Sequence, residues 1–187
     1  MRMFVALRPP EEAVEDLDEF LAVRRESGAF RWTLAEQVHL TLAFLAEVPD
    51  RKLDDLVERL ERAAHRRTPT TTRIAGGGAF PNAGRARVLW AGLHLDEAGR
   101  TELGRMATGA RAAATKAGVA VDGQRFRPHL TVARLGRPAE VSSWVRLLDA
   151  YKGPEWTTTT VSLVASHLGQ GPRNRPRHEV VEEFPVG

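Results

Sequence analysis

The sequence predicts an α+β fold: two similar lobes of antiparallel sheet with outer helices, related by a pseudo-twofold duplication around a central cleft. Three observations lead to this. "VHLTLAF" (38–44) and "PHLTVAR" (128–134) share His, Leu, Thr and Ala in register, with His39 and His129 90 positions apart in 187 residues. Each copy occupies the same place in an order of strand, helix, repeat strand, helix, strand. The period is near 90 residues, whereas a solenoid stacks three or more shorter repeats. The chain therefore reads as a single bilobal domain, 1–187, with repeat units of about 1–80 and 85–187, the lobes meeting face to face.

The elements follow in order. "RMFVAL" (2–7) is a short apolar run that suits a buried strand. Pro9-Pro10 opens a helix with Glu11, Glu12, Glu15 and Asp16 in its first turns, Arg24 and Arg25 near its end and Gly28 as the stop; acid first and base last complements the helix dipole. Ala13, Leu17, Phe20 and Leu21 share its inner face. After the first repeat strand, a helix over about 50–65 places Leu53, Leu56, Val57, Leu60, Ala63 and Ala64 at amphipathic spacing, with Asp50 as N-cap. "TTTRIA" (70–75) is a strand, the glycine run 76–78 a bend in a turn-rich connection, and "VLWAGLHL" (88–95) a further strand. A helix over about 97–117 turns Leu103, Met106, Ala107, Ala110, Ala114 and Ala117 inward and closes at Gly118. The second repeat strand precedes a helix over about 138–150 with Val141, Trp144, Val145 and Leu148 on one side. "TTTTVSLVASHL" is a strand ending near Leu168, the loop "GQGPRNRPR" follows, and "HEVVEEF" is the last strand.

Composition limits the function classes. Hydrophobic residues make up 42% and charged residues 27%, as in soluble globular chains. No apolar run approaches the roughly 20 residues that span a bilayer, and "MRMFVALRPPEE" lacks the apolar core of a signal peptide. A cytoplasmic monomer without a protein partner is expected. The absence of cysteine removes disulfides, thiolate metal sites and a cysteine nucleophile. The formal charge is +3, carried almost wholly by arginine, whose planar fork matches phosphate oxygens.

Side chains alternate along a strand, so His39 and Thr41 share one face and Leu40 and Leu42 the other; His129 and Thr131 stand likewise against Leu130 and Val132. The leucine face packs on helices. The polar faces, if paired about a twofold axis, bring two imidazoles and two hydroxyls to one point. Imidazole titrates near pH 6.5, so one histidine can take a proton from an attacking oxygen while the other protonates a leaving oxygen. The threonines can donate to non-bridging phosphate oxygens, and Arg134 can add a fixed charge. Strand parity turns Arg134 away from His129 unless the strand ends or twists there. Trp32, Phe44 and Phe126 flank the motifs as candidate stacking surfaces, with a core role as the alternative for each. Arg173, Arg175 and Arg177 form a basic loop that can meet RNA phosphates or lie in solvent. His65, His94, His167 and His178 have no partner pattern and take surface or structural roles. No HExxH-like ligand spacing, GxSxG, P-loop or GxGxxG appears, so neither a metal nor a cofactor is expected.

These residues give the chain a family resemblance. "RMFVALRPPEE", "RWTLAEQVHLTLAFLAEV", "GGGAFPNAGRARVLWAGL" and "FRPHLTVARL" resemble the opening strand, first motif block, central block and second motif of the two-histidine (2H) phosphoesterase superfamily. Within it, the chain is most similar to the RNA 2',3'-cyclic phosphodiesterases, also called 2'-5' RNA ligases. The resemblance implies His39 and His129 as the catalytic pair and Thr41, Thr131 and Arg134 as phosphate-binding residues. It further implies a bilobal fold, no metal, and opening of a terminal 2',3'-cyclic phosphate on RNA, or of a cyclic nucleotide, to a 2'-phosphate. His129 as base and His39 as acid is the working assignment. The alternatives are a 2'-5' ligase or phosphodiesterase, a small cyclic-nucleotide phosphodiesterase, and a non-catalytic module that binds RNA ends. Two positions depart from the family: Ala46 where Gly is usual, and His178 where Tyr is frequent.

Overall fold

The computed structural model describes all 187 residues. The elements are β1 (Met3–Leu7), α1 (Glu11–Ala22), β2 (Arg31–Trp32), β3 (Leu40–Leu45), α2 (Asp50–His65), β4 (Thr71–Phe80), β5 (Ala86–His94), α3 (Glu97–Lys116), β6 (Leu130–Ala139), α4 (Ser142–Asp149), β7 (Trp156–Thr157), β8 (Thr160–His167) and β9 (Arg177–Pro185). All strands join one curled antiparallel sheet in the order β7-β4-β5-β6-β3-β1-β8-β9, with β2 added beside β6. The order is symmetric about β6 and β3, as a duplicated unit requires. The lobes thus join edge to edge rather than face to face, through the single pairing Leu40↔Leu130.

The spatial lobes draw on both sequence units. β3 and β1 stand beside β8 and β9 from the end of the chain, while β4 pairs with β5. α2 and α3 cover the β3-β1-β8-β9 lobe, and α1 and α4 cover β4. Leu40, Leu42, Leu130 and Val132 enter one large core with the inner faces of the helices. β1 is buried on both sides: Met3, Val5 and Leu7 join that core, while Phe4 and Ala6 form a small second cluster with Val164 on the cleft side. A continuous apolar run, without alternation, follows from burial on both faces.

Several boundaries differ from expectation. α1 ends at Ala22, before Arg24 and Arg25, and a 3-10 turn over Arg25–Ser27 leads to Gly28. Arg25 instead pairs back to Asp18 at 2.6 Å. Pro49, not Asp50, is the N-cap of α2, and Asp50 lies within the first turn. The strand read over 157–168 divides into the end of β7 and β8, and β6 runs on to Ala139, so α4 starts only at Ser142. The glycine run is strand rather than bend: Gly77 pairs with Ala91 and Gly78 with Trp90, after a bulge marked by Gly76 at φ +75°. A β-carbon at Gly77 would fall 2.4 Å from the Leu148 β-carbon, and one at Gly78 would fall 2.2 Å from the Trp90 indole. Bare backbone here admits α4 on one face and the Trp90 ring on the other.

Candidate active site

The pairing Leu40↔Leu130 places both histidines, since each stands one residue before its strand. In an antiparallel pair the next step of the register sets His39 across from Thr131 and Thr41 across from His129. The two histidines become diagonal neighbours, a relation that separates α-carbons by roughly 7–8 Å. Both line one cavity of about 370 Å³ together with Thr41, Thr131 and Arg134.

Each imidazole is held in the same way. His39 Nδ1–H donates to the Gln37 carbonyl at 2.6 Å, and His129 Nδ1–H to the Arg127 carbonyl at 2.6 Å. A carbonyl only accepts, so Nδ1 carries the proton and Nε2 is left for chemistry. The Thr41 hydroxyl lies 3.1 Å from His39 Nε2, whereas His129 Nε2 makes no hydrogen bond within the protein. Phe4 stacks on His39 at 4.4 Å between ring centroids, and Phe80 meets His129 edge-on at 4.8 Å. Trp90, seated on Gly78, completes the His129 wall at 6.2 Å.

Arg134 reaches this face by a bulge. Trp90 pairs with Thr131 but Leu89 with Ala133, so Val132 is an extra residue and parity reverses after it. β6 therefore neither ends nor needs to end at Arg134. The first repeat carries the same device: Ala6 pairs with Thr41 and Val5 with Ala43, leaving Leu42 extra and turning Phe44 into the cavity at the position matching Arg134. The Arg2 guanidinium lies over the Phe44 ring at 4.4 Å, giving the cavity a cation on that side too.

Arg2, Arg31, Arg134 and Arg175 line the cavity, and no Asp or Glu does. β2 sets Arg31 beside Arg134 in register. Arg175 donates to the Trp32 carbonyl at 2.5 Å, while its buried Nε has no partner. Burial, then the charges of Arg31 and Arg173, pull the Arg175 pKa down. Uncompensated cations held together in this way form a receptor for an anion.

Burial lowers the His39 pKa from 6.5 to about 4, opposed by the hydrogen bond to Gln37 and assisted by the charges of His178, His129 and Arg134. His129 is also lowered, by burial and then Arg134, against the hydrogen bond to Arg127. A depressed histidine pKa means the unfolded chain binds the proton more readily, so stability falls as pH drops from 6.5 toward 4. The window corresponds to at most about 3 kcal/mol. His39→Gln should reduce the difference in urea midpoint between pH 7 and pH 4; an unchanged difference would show that His39 is not a source of acid sensitivity.

Of the aromatic candidates, Trp32 and Phe44 line the cavity, while Phe126 lies in an adjoining groove of about 580 Å³ that shares Thr41, Phe44 and His129 with it. One side of Trp32 packs against Phe30 and Trp144 at 5.5 and 5.3 Å. Arg111, Arg125 and Arg127 line the adjoining groove. Of the basic loop, Arg175 reaches the cavity, and Arg173 contributes its carbonyl to Arg31. His178 corrects the surface or structural role expected of it: it lines the cavity with its ring 5.6 Å from His39, and burial followed by Arg8 lowers its pKa. Phe4, Arg2 and Arg31 were not singled out by sequence. Of the residues added here, His178 alone carries a sequence signal, standing where Tyr is frequent in the resembled family.

No helix is long and apolar enough to cross a membrane, and no three His, Asp or Glu side chains cluster as metal ligands. The family model described as LigT-like phosphoesterase matches residues 7–90 and 93–173. The chain is 33% identical over 186 residues to an RNA 2',3'-cyclic phosphodiesterase of Thermus thermophilus, covering 98% of this chain and 89% of that one. It is 31% identical over 170 residues to the Escherichia coli protein of the same name, covering 91% and 89%. Among solved structures, a protein of Thermus thermophilus superposes with a TM-score of 0.78 at 31% identity, over 100% of this chain and 98% of the other. E. coli LigT complexed with 3'-AMP gives 0.78 at 26% identity, over 99% and 97%. With both motif strands inside the matched segments and the whole fold superposed, the chain belongs to the LigT-like phosphoesterase family.

Proposed function

We propose that this protein is an RNA 2',3'-cyclic phosphodiesterase that opens a terminal cyclic phosphate to a 2'-phosphate by two-histidine general acid–base catalysis. The observation that carries the reading is the convergence of His39 and His129 on one arginine-lined cavity free of carboxylates. The names of the relatives and the nucleotide in the LigT complex support the same substrate class. The whole chain, 1–187, acts as one bilobal unit built from repeats of about 1–80 and 85–187.

Water attacks phosphorus in line with the departing 3'-oxygen. One histidine takes the water proton while the other protonates the 3'-oxygen. A P–O bond to water forms, the P–O3' bond breaks, and a 2'-phosphate and a 3'-hydroxyl result. The environments favour the reverse of the working assignment. His39, held to about 4, is neutral and serves as base; His129, less strongly depressed, keeps its proton to higher pH and serves as acid. Thr41, Thr131 and Arg134 hold the non-bridging oxygens, where arginines supply the positive charge that a metal supplies in other phosphoryl-transfer sites. Trp32 and Phe44 border the nucleoside, and Phe126 stands where the chain leaves the cavity.

Incubation with a 2',3'-cyclic mononucleotide and with an RNA bearing the same end, both in excess EDTA, tests the reading. Phosphorus NMR should show the 2'-phosphate alone. A 3'-phosphate would invert the substrate's orientation, and loss of turnover in chelator would reject metal-independent catalysis.

A further inference from the structure

We infer that the basic groove between α2 and α3 docks the phosphodiester backbone of the RNA whose end enters the cavity. That the polyanion is RNA rests on the function proposed above; the character of the groove does not. It measures about 780 Å³ and shares no lining residue with the catalytic cavity. The helices that form it pack on the leucine face of the sheet, opposite the histidines.

Its walls carry Arg59, Arg62, Arg66, Arg67, Arg105 and Lys116, with no Asp or Glu. Arg59, Arg62 and Arg67 are partly neutralised by Asp55, Glu58 and Glu102. Arg66, Arg105 and Lys116 have no acidic partner and are exposed. Thr101 and Thr108 add hydroxyls to the lining. Arginine forks, an ammonium and hydroxyls are the groups that position a phosphate backbone without reading bases.

The floor is made of small residues. Gly104 and Gly109 both lie inside α3, where glycine is the least favourable residue after proline. Packing within the chain does not call for either: a β-carbon at Gly104 would meet nothing within 4 Å, and one at Gly109 would make ordinary contact with Ala63 at 3.8 Å. What these glycines preserve is open depth between two rows of cations. A lipid surface fits poorly, because the exposed large apolar residues are Met1, Val23, Leu168 and Val180, none of them on α2 or α3. An acidic peptide would find no apolar anchor on a floor of Gly, Ala and Thr. α3 also connects the two sites, since Arg111 on it lines the groove that continues from His129.

The test combines Arg66→Ala, Arg105→Ala and Lys116→Ala in the full chain. Binding of a labelled single-stranded RNA of about 20 nucleotides is followed by fluorescence anisotropy across a salt series. Loss of three phosphate contacts should weaken binding about ten-fold or more at 0.1 M salt and reduce the log Kd against log salt slope by about 2. Hydrolysis of a 2',3'-cyclic mononucleotide should be unchanged, so a failure of the proposed activity is read separately from a failure of the groove. Gly104→Gln provides a second variant: it should keep or raise the thermal midpoint while weakening RNA binding by filling the floor. Unchanged RNA affinity and salt slope in the triple variant would overturn the inference. So would polyglutamate binding as tightly as RNA and losing affinity in the same variant, which would give the groove to an acidic protein.

Discussion

His39→Ala and His129→Ala should each lower kcat on a 2',3'-cyclic mononucleotide by about 10² to 10⁴, the range for loss of one positioned acid or base. Their pH profiles should differ. The base must be neutral, so the wild-type kcat/KM rises with pH through the base pKa; the acid must be charged, so it falls with pH through the acid pKa. With His39 at about 4 and His129 below 6.5, the free-enzyme optimum lies on the acidic side of neutrality. His39→Ala should lose the rising limb and His129→Ala the falling one. The opposite pattern would return the roles to His129 as base and His39 as acid. A near-normal rate in either variant would reject the two-histidine mechanism. Retained affinity for a 2'-nucleotide product, read by calorimetry, would show that the cavity survives each substitution.

Elements whose signals are local were legible in the sequence. α2 and α3 have long apolar stripes and clear ends, and the repeat strands announce themselves by being written twice. The glycine run is not legible as strand because glycine normally argues against one, and its role as a seat for Leu148 and Trp90 depends on partners 71 and 12 residues away. The exchange of β4, β8 and β9 between lobes was also hidden. Sequence order reports which unit a strand came from, and only pairing reports where it ends.

The candidate site divides in the same way. His39, Thr41, His129 and Thr131 were readable because two copies of a short pattern define a shared face. Arg31 and Arg2 were not, and Arg175 was readable only as one of three loop arginines and His178 only as a departure from the resembled family, because they enter the cavity from β2, the chain's start, a loop and β9, none of which repeats a pattern. Arg134 was readable only as a residue whose parity was wrong. The bulge at Val132 resolves this, and its copy at Leu42 makes it a feature of the duplicated unit rather than of one strand. The two units then diverge at the residue the bulge delivers. One presents Arg134; the other presents Phe44 with Arg2 lying over it. A symmetric scaffold thereby carries an asymmetric cavity, with a bare arginine on the His129 side and an arginine-capped aromatic ring on the His39 side.

Arg134→Ala should accordingly cost more than a binding contact. Charge on the non-bridging oxygens has to be balanced as water attacks, and removing one such donor typically lowers the rate by about 10² to 10³. Arg134→Lys should recover part of this, since an ammonium restores charge but not the planar fork, and added guanidinium should partly rescue the alanine variant. A second readout separates this role from a structural one. Arg134 is among the charges that lower both His39 and His129. Its removal should therefore move both limbs of the kcat/KM profile to higher pH, the rising limb upward from about 4. A side chain that merely braced β6 would reduce the rate and the thermal midpoint together and leave the limbs in place. A reduced rate with unshifted limbs and no guanidinium rescue would remove Arg134 from the phosphate site and leave Arg31, its register partner on β2, to be tested there by the same pair of measurements.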